Sequence, residues 1–335
     1  MPNQFSEFYK PTKLVEYLRD RLIEQEHFGL FVKVGIGCDV LKIGDDKNYP
    51  FYLRSCAKPL QASLLIDYGL DKFYDMTSDE IAICCASHAG EACHAQAAIG
   101  LLKKIGLDES YLKCGLHKPI SRIEQNKLII DGKSENVFQN NCSGKHVMML
   151  GVCKKMGWDL GTYDELNHPL QTAIKNKIYE LCEVKQEYPV TKDGCGVPIY
   201  AMPLENMVRG YLNLFLDYKY SKIRTAFVEN HYIIGGEDRL DTAIMSANPA
   251  LIAKVGAGGL CMVINLKKRE GLIIKIMDCD MKARAIALIE ALSQLNWLDE
   301  KMLETPLIRA QNKRDIITLH GEKIGSIKCT FNLLI

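Results

Sequence analysis

The chain has 335 residues, of which 47% are hydrophobic and 25% charged, and its formal net charge at pH 7 is +1. This length can bury a sizeable core, and the composition is that of an ordinary globular protein. The near-zero charge argues against a nucleic-acid or anionic-membrane partner, because no basic excess is present to pair with phosphates.

The chain starts with MPNQFSEFYKPTK, which has neither the basic segment nor the apolar core of a signal peptide. No apolar run elsewhere approaches the roughly 18 residues of a membrane-spanning helix. We therefore expect a cytoplasmic protein without a membrane partner, in which the 13 cysteines are mostly reduced thiols.

The first part of the chain predicts strands followed by a helix. Residues 30–43 form a β-rich stretch with a glycine interruption, and residues 49–53 suit a further short strand. Residues 56–69 are apolar and helix-like, and Gly69 suits a C-terminal cap.

The middle of the chain is predicted to be mainly helical. Thr77 and Glu80 fit a capping box, in which each side chain bonds the other residue's backbone amide, before an apolar run. The other helical patterns cover residues 92–105, 146–157, 164–183, 204–217 and 221–230.

The C-terminal third returns to strands. Residues 260–266 and 271–277 suit two strands joined by a turn, and residues 281–294 suit a helix. The tail, residues 315–334, is predicted to form a hairpin or a strand pair.

Strands at both ends of the chain, enclosing a helical middle, predict one sheet assembled from both termini. The expected fold class is α/β (α+β), not a regular βαβ array. We expect a single unit over residues 1–335, with a sheet-containing part (1–70 plus 230–335) and a mainly helical part (71–229).

Ser55 and Lys58 form a Ser-x-x-Lys motif. On a helix they share one face, so a lysine amine that has lost its proton could activate the serine hydroxyl. Serine β-lactamases and penicillin-binding proteins use this arrangement, although an ordinary surface helix also produces such tetrapeptides.

A second polar cluster holds Ser87, His88, Glu91 and His94 at the predicted end of an apolar segment. Several groups able to exchange protons lie together there, as they do in many active sites. The alternative is a helix start that Ser87 or His88 caps.

Residues 140–146, NNCSGKH, open an apolar helix. They are not a P-loop, since no second glycine precedes at the required spacing and His146 stands where Ser or Thr should follow the lysine. Amides at a helix start point outward, which suits an anion or a carboxamide. A polar loop with an asparagine cap is the alternative.

Cys195 lies between two glycines in the segment DGCGVP, which permits a sharp turn. Cys195 and Cys142 are soft metal donors in glycine-bearing loops, and His146 or Lys145 lies close to Cys142. Spacing alone leaves the ligands open and favours His146 over Lys145.

Lys254 starts a glycine-rich segment, KVGAGG, before a predicted strand. A lysine followed by glycine on a strand edge is an element of the Ser-x-x-Lys enzymes, so Lys254 is a candidate second catalytic lysine. Lys275, in the strand IIKIMD, is the competing candidate.

In order along the chain, RSCAKPLQ, ASHAGEACH, NNCSGKHVMML, DGCGVP, GGEDRLDTAIM and KVGAGG resemble the asparaginase II family, the thermolabile, rhizobial-type L-asparaginases. The resemblance covers about residues 24 to 295. It implies a fold like that of serine β-lactamases and glutaminases, a homodimer, and hydrolysis of L-asparagine to L-aspartate and ammonia.

The resemblance also implies roles for individual residues. Ser55 pairs with Lys58, and Ser87 pairs with a second lysine, placed at Lys254. A zinc ion is held by two cysteines and a lysine, which are Cys142, Lys145 and Cys195 in this chain. The expected substrate-binding residues are Arg54, His88, Glu91, His146, Asp193 and Gly194.

Three positions depart from the family pattern. Gly258 stands where a glutamate is usual, Cys279 follows Asp278 in place of a glycine, and Tyr232 replaces a proline after His231. None removes a proposed nucleophile, base or ligand, so these departures concern substrate preference and turnover.

Two alternatives to an asparaginase are open. One is a hydrolase of glutamine or of another small amide. The other is a non-catalytic, zinc-stabilised protein that binds an amino acid.

Overall fold

The computed structural model describes residues 9–37 and 39–333 of the chain. The expectation that no signal peptide is present rests largely on residues 1–8, which lie outside this range. The described residues form eleven strands: β1 (Thr12–Arg19), β2 (Leu22–Gly35), β3 (Val40–Ile43), β4 (Phe51–Tyr52), β5 (Val190–Lys192), β6 (Pro198–Met202), β7 (Leu251–Gly256), β8 (Leu260–Asn265), β9 (Glu270–Ile276), β10 (Asp315–Ile317) and β11 (Lys323–Cys329).

The same residues form fourteen α-helices: α1 (Lys58–Asp67), α2 (Leu70–Phe73), α3 (Ser78–Cys85), α4 (Ala92–Ile105), α5 (Arg122–Ile130), α6 (Ser143–Met156), α7 (Pro169–Leu181), α8 (Leu204–Leu216), α9 (Ser221–Glu229), α10 (His231–Ile234), α11 (Leu240–Ala247), α12 (Met281–Gln294), α13 (Glu300–Leu303) and α14 (Pro306–Gln311). None of the helices in the described part of the chain is long and apolar enough to cross a membrane.

The larger sheet has eight strands in the order β10-β11-β1-β2-β9-β8-β7, with β3 paired to β2. Every neighbouring pair is antiparallel. Strands from both ends of the chain therefore lie side by side, and the predicted mixed α/β fold with an antiparallel sheet from both termini is confirmed. Strands β4, β6 and β5 form a second, three-stranded sheet.

Several of the predicted helix ends are confirmed. The capping box at Thr77 and Glu80 is present, and Glu80 accepts a 2.9 Å hydrogen bond from the Thr77 amide. Gly69 and Gly106 follow α1 and α4 with φ of +61° and +74°, which is the left-handed conformation of a helix C-terminal cap.

Some elements were missed by the pattern analysis. Strand β7 is buried at all six positions, so it shows no alternation of polar and apolar residues. Helix α5 has no buried residue among its nine, so it shows no apolar stripe. Strand β1 and the first part of β2 were also not predicted.

Candidate active site

Lys58, the first residue of α1, is 1% exposed and reaches two other segments of the chain. Its Nζ atom donates to the carbonyl oxygen of Ala86 at 2.8 Å and to that of Asn141 at 2.7 Å. The third partner of Nζ is the hydroxyl of Ser87, at 2.8 Å. The lysine therefore joins the end of α3 to the loop before α6.

These partners can accommodate a neutral amine. Two of them are carbonyl oxygens, which only accept, so the two hydrogens of an uncharged amine are used on Ala86 and Asn141. The lone pair then faces the hydroxyl of Ser87. Burial lowers the pKa of Lys58, and the charge of Lys145 acts in the same direction, whereas the thiols of Cys142 and Cys195 oppose it.

The pairing of serines with lysines differs from the prediction. Lys58 bonds Ser87 instead of Ser55, and within the described residues neither serine hydrogen-bonds Lys254. Helical spacing brought Ser55 and Lys58 to one face of a helix, but it could not show that Lys58 finds three oxygens on other segments. Ser55 lies instead in a 3-10 helix, Arg54–Ala57, just before α1.

Ser55 and Ser87 line one cavity of ≈310 Å³. Its wall comes from several distant segments, and its other lining residues are Ile120, Asn141, Arg239, Val255, Gly256, Ala257, Gly258, Gly259, Cys279, Met281 and Arg284. Ser55 is partly exposed and Ser87 is buried. The cavity therefore offers two hydroxyl groups, one of them in direct contact with a buried amine.

Arg54 connects this cavity to the loop between β5 and β6. Its Nε donates to Asp193 at 2.8 Å, and its φ of +49° places it in the left-handed region. Burial opposes ionisation of Asp193, but the charges of Lys145 and Arg54 lower the pKa of this carboxyl below its ordinary value. The ion pair therefore fixes the loop that carries Cys195 beside the turn that carries Ser55.

Cys142, Lys145 and Cys195 form a buried cluster. Cys142 precedes the first residue of α6, and the Nζ of Lys145 lies 3.0 Å from the Sγ of Cys195. A hydrogen bond from the thiol of Cys195 holds the pKa of Cys142 well below its ordinary value, and the charges of Lys58 and Lys145 add to this effect against burial. The pKa of Cys195 is correspondingly raised.

The donor set of this cluster fits a zinc ion. Two sulfurs and an amine nitrogen in a buried pocket suit a borderline-soft divalent cation. Burial alone would lower the pKa of Lys145, but the thiols of Cys142 and Cys195 raise it. A zinc ion would therefore have to displace the proton of this lysine in order to bind it.

His146 hydrogen-bonds a tyrosine and makes no hydrogen bond to a thiol of the described residues. Its Nδ1 is 2.7 Å from the hydroxyl of Tyr163, whereas Lys145 is the residue bonded to Cys195. The Nε2 of His146 is buried and has no hydrogen-bond partner.

Lys254 lies on β7 and is fully enclosed. Its Nζ donates to the carbonyl oxygen of Val255 at 2.9 Å and lies 3.8 Å from the carboxylate of Asp241, which is also enclosed. Burial lowers the pKa of Lys254 to about 8, the charges of Lys58 and Arg239 act in the same direction, and Asp241 opposes them. Lys254 directly precedes the segment that forms one wall of the cavity.

Lys275 lines a different cavity, of ≈380 Å³. It shares this space with the rings of Tyr9, Tyr49 and Phe51, and its Nζ donates to the carbonyl oxygen of Ile276 at 2.9 Å. Lys254 therefore directly precedes residues 255–259, which line the cavity of the two serines, whereas Lys275 lines the other cavity.

The six predicted substrate-binding residues do not line the cavity of the two serines. Two of them, His88 and Glu91, are held by other contacts. His88 is buried against the hydroxyl of Ser143 at 3.0 Å, and the carboxylate of Glu91 accepts from Tyr232 at 2.6 Å and from the amide of Glu237 at 2.8 Å. Arg54, His146 and Asp193 make the contacts described above, and Gly194 follows Asp193 in the loop between β5 and β6.

A second group of possible metal ligands consists of Glu91, Cys93 and His94, whose ligand atoms lie within 4.8 Å of one another. These atoms already have partners. The Nδ1 of His94 accepts from the amide of Glu91 at 3.2 Å, and both carboxylate oxygens of Glu91 accept hydrogen bonds from Tyr232 and Glu237. A metal ion there would have to replace these bonds.

The sequence analysis missed Arg239 and Asn141 as site residues. Arg239 lies in the quoted segment GGEDRLDTAIM, where a single basic residue beside two acidic residues gave no sign of facing a cavity. Asn141 contributes its backbone carbonyl to Lys58, a role that no residue type specifies.

The comparison with known families decides the relationship. The sequence profile of the family described as L-asparaginase II matches residues 15–329, nearly the whole chain. The chain belongs to the L-asparaginase II family. The prediction of the family is thereby confirmed, and membership identifies the protein as an L-asparaginase enzyme at the level of the family.

Two solved structures are similar to this chain. One is described as a candidate β-lactamase from Bacteroides dorei DSM 17855, with 13% identity, a TM-score of 0.42, and coverage of 74% of this chain and 85% of that one. The other is a β-lactamase from Mycobacterium bovis, with 12% identity, a TM-score of 0.37, and coverage of 74% and 86%. A comparison with curated proteins finds no match.

Proposed function

We propose that this member of the L-asparaginase II family hydrolyses the side-chain amide of L-asparagine through a serine nucleophile and a lysine base. The observation that carries the proposal is the hydrogen bond between Lys58 and Ser87 at the wall of the cavity that Ser55 also lines. The hydroxyl of Ser87 and the amine of Lys58 are in direct contact, so they can exchange a proton without a further group.

Ser55 is the nucleophile in this proposal, because it is the more exposed of the two hydroxyls in the cavity. Its Oγ attacks the carboxamide carbon, while its proton passes through the hydroxyl of Ser87 to the neutral amine of Lys58. Ammonia leaves with that proton and an ester to Ser55 remains. Water then hydrolyses the ester, and the same groups return the proton.

Zinc belongs to the proposal through Cys142, Lys145 and Cys195. When bound, it would supply positive charge that neutralises thiolates beside Lys58. The chain's own contribution is to hold the loop of Cys195 against α6, with the Arg54–Asp193 ion pair at its edge. A homodimer is proposed from the family resemblance alone, and the arrangement of residues 1–335 as one unit is proposed because that resemblance spans nearly the whole chain.

The test is ammonia release by the purified protein from L-asparagine, from L-glutamine and from a blank. We expect L-asparagine to be preferred by roughly 10- to 200-fold in kcat/KM, the discrimination that one methylene allows. A protein that is thermally stabilised by these ligands but releases no ammonia would be a binding protein, and the proposal would fail.

Serine variants assign the nucleophile. Ser55→Ala should lose at least about 1,000-fold in kcat, since covalent catalysis is removed. Ser87→Ala should be slowed but should still form aspartyl hydroxamate when hydroxylamine traps the ester. Ser63→Ala, a buried serine of α1 that bonds the carbonyl of Leu60, is the matched control. Hydroxamate formation by Ser55→Ala would assign the ester to Ser87 instead.

A further inference from the structure

Arg239 is a cation in the cavity for which the described residues supply no partner. It precedes α11, and its Nε is buried without a hydrogen-bond partner. No hydrogen bond or ion pair within 4 Å joins its guanidinium to any described residue. A buried polar nitrogen that stays unpaired costs free energy, so such a group is a natural position for a ligand.

The other two arginines near the cavity have hydrogen-bond partners. Arg54 is paired with Asp193, and Arg284 donates from Nη1 to the carbonyl oxygens of Gly256 and Leu260 at 3.1 Å each, although its Nε is also buried without a partner. Arg239 differs from both, because its guanidinium makes no hydrogen bond or ion pair with any described residue.

The charge around the cavity favours an anionic ligand. None of the described residues that line it is acidic, whereas Arg239 and Arg284 are both basic. Lys254 lies behind the wall, close enough for its charge to interact with that of Arg239. A negatively charged group placed beside Arg239 would relieve this repulsion.

We propose that Arg239 binds the α-carboxylate of the amino-acid substrate. A planar guanidinium can donate two parallel hydrogen bonds to the two oxygens of a carboxylate. The inference rests on the proposed function, because it places the carboxylate in the cavity whose serines attack the side-chain amide. Arg239 also borders an adjoining cavity of ≈490 Å³ whose lining includes Glu237 and Asp238, so the carboxylate is placed on the side of the two serines, where no described lining residue is acidic.

The experiment compares three substrates with the wild type and Arg239→Met. L-asparagine and succinamate carry the carboxylate, whereas 3-aminopropanamide lacks it. For the first two substrates, Arg239→Met should lower kcat/KM by about 10- to 100-fold, mainly through KM, as expected for a lost charged hydrogen bond. For 3-aminopropanamide the two proteins should be equal within about twofold. Lys313→Met, which removes an exposed charge from the rim of the adjoining cavity, is the control and should change none of these values.

Equal losses on all three substrates, or no loss on L-asparagine, would overturn the role of Arg239. If the wild type hydrolyses none of the three, the proposed function fails, and calorimetric binding of L-aspartate and succinate then tests Arg239 alone. Weaker binding to Arg239→Met by at least about tenfold would support the carboxylate site, and equal binding would reject it.

Discussion

Lys58 and Lys254 are both enclosed by the protein, but their neighbourhoods differ. Lys58 faces two carbonyl oxygens, one hydroxyl and the nearby thiols, and none of the described carboxylates forms an ion pair with it. Lys254 faces the carboxylate of Asp241 and lies close to the charge of Arg239. We call these the Lys58 region (with Ser87 and the thiol cluster) and the Lys254 region (with Asp241 and Arg239).

The two lysines are therefore suited to different roles. Burial and the charge of Lys145 favour an uncharged amine at Lys58, which can take a proton. A buried carboxylate favours a retained charge, which suits Lys254 to electrostatic support of the cavity wall. Burial alone does not make a lysine a base, since the charged groups around it also decide which form is stable.

The first prediction tests the proton transfer assigned to Lys58. Arginine stays protonated and cannot accept a proton, so Lys58→Arg should lower kcat by about 100- to 10,000-fold, the usual contribution of general acid–base catalysis. Lys254→Arg keeps the charge beside Asp241 and should lose less than about tenfold. Steady-state ammonia release measures both. Equal losses in the two variants would remove the distinction between the regions.

The second prediction concerns the metal that we assign to the Lys58 region. Cys195→Ser should weaken zinc binding by at least about 100-fold, because loss of a ligand costs more than loss of an outer hydrogen bond to one. Zinc content after gel filtration, measured by atomic emission, reports the change. Cys93→Ser is the matched control, since Cys93 belongs to the other group of possible ligands.

The opposite pattern, in which Cys93→Ser loses zinc and Cys195→Ser retains it, would move the metal to the group of Glu91, Cys93 and His94. It would also leave the low pKa of Cys142 without a link to metal binding.

Most of the fold was predictable because local signals agree with it. Glycines in the left-handed conformation end α1 and α4, and a capping box starts α3. Strand β7 and helix α5 were missed for opposite reasons. The first is buried on both faces and the second on neither, so neither shows the periodicity that pattern analysis needs.

The site was predictable in its residue types and less so in its contacts. The motifs contain Ser55, Lys58 and Ser87. In the structure Ser55 and Ser87 line one cavity, and Lys58 hydrogen-bonds Ser87. The contact of Lys58 with Ser87 depends on a carbonyl of Asn141 that holds the amine from the other side, and no sequence pattern records such a backbone contact. Arg239 was missed because the absence of a partner is visible only in three dimensions.

The last prediction concerns the stability that Lys254 contributes at high pH. Its pKa falls from 10.5 to about 8 on folding, so between these pH values the unfolded chain holds the proton more often than the folded chain does. The free energy of unfolding therefore rises with pH across this window. Below pH 8 both states are protonated, and above 10.5 neither is, so the total change is on the order of 3 kcal/mol.

Lys254→Met removes the ionisable amine at this position. Most other groups are expected to have the same pKa in the variant as in the wild type. The wild type should therefore gain up to about 3 kcal/mol relative to the variant between pH 8 and 10.5, measured by urea unfolding at several pH values. Lys313→Met, an exposed site, should show no such gain. A constant difference between wild type and Lys254→Met would mean that Asp241 fully offsets the burial of Lys254, and the contrast with Lys58 would then reduce to the identity of their hydrogen-bond partners.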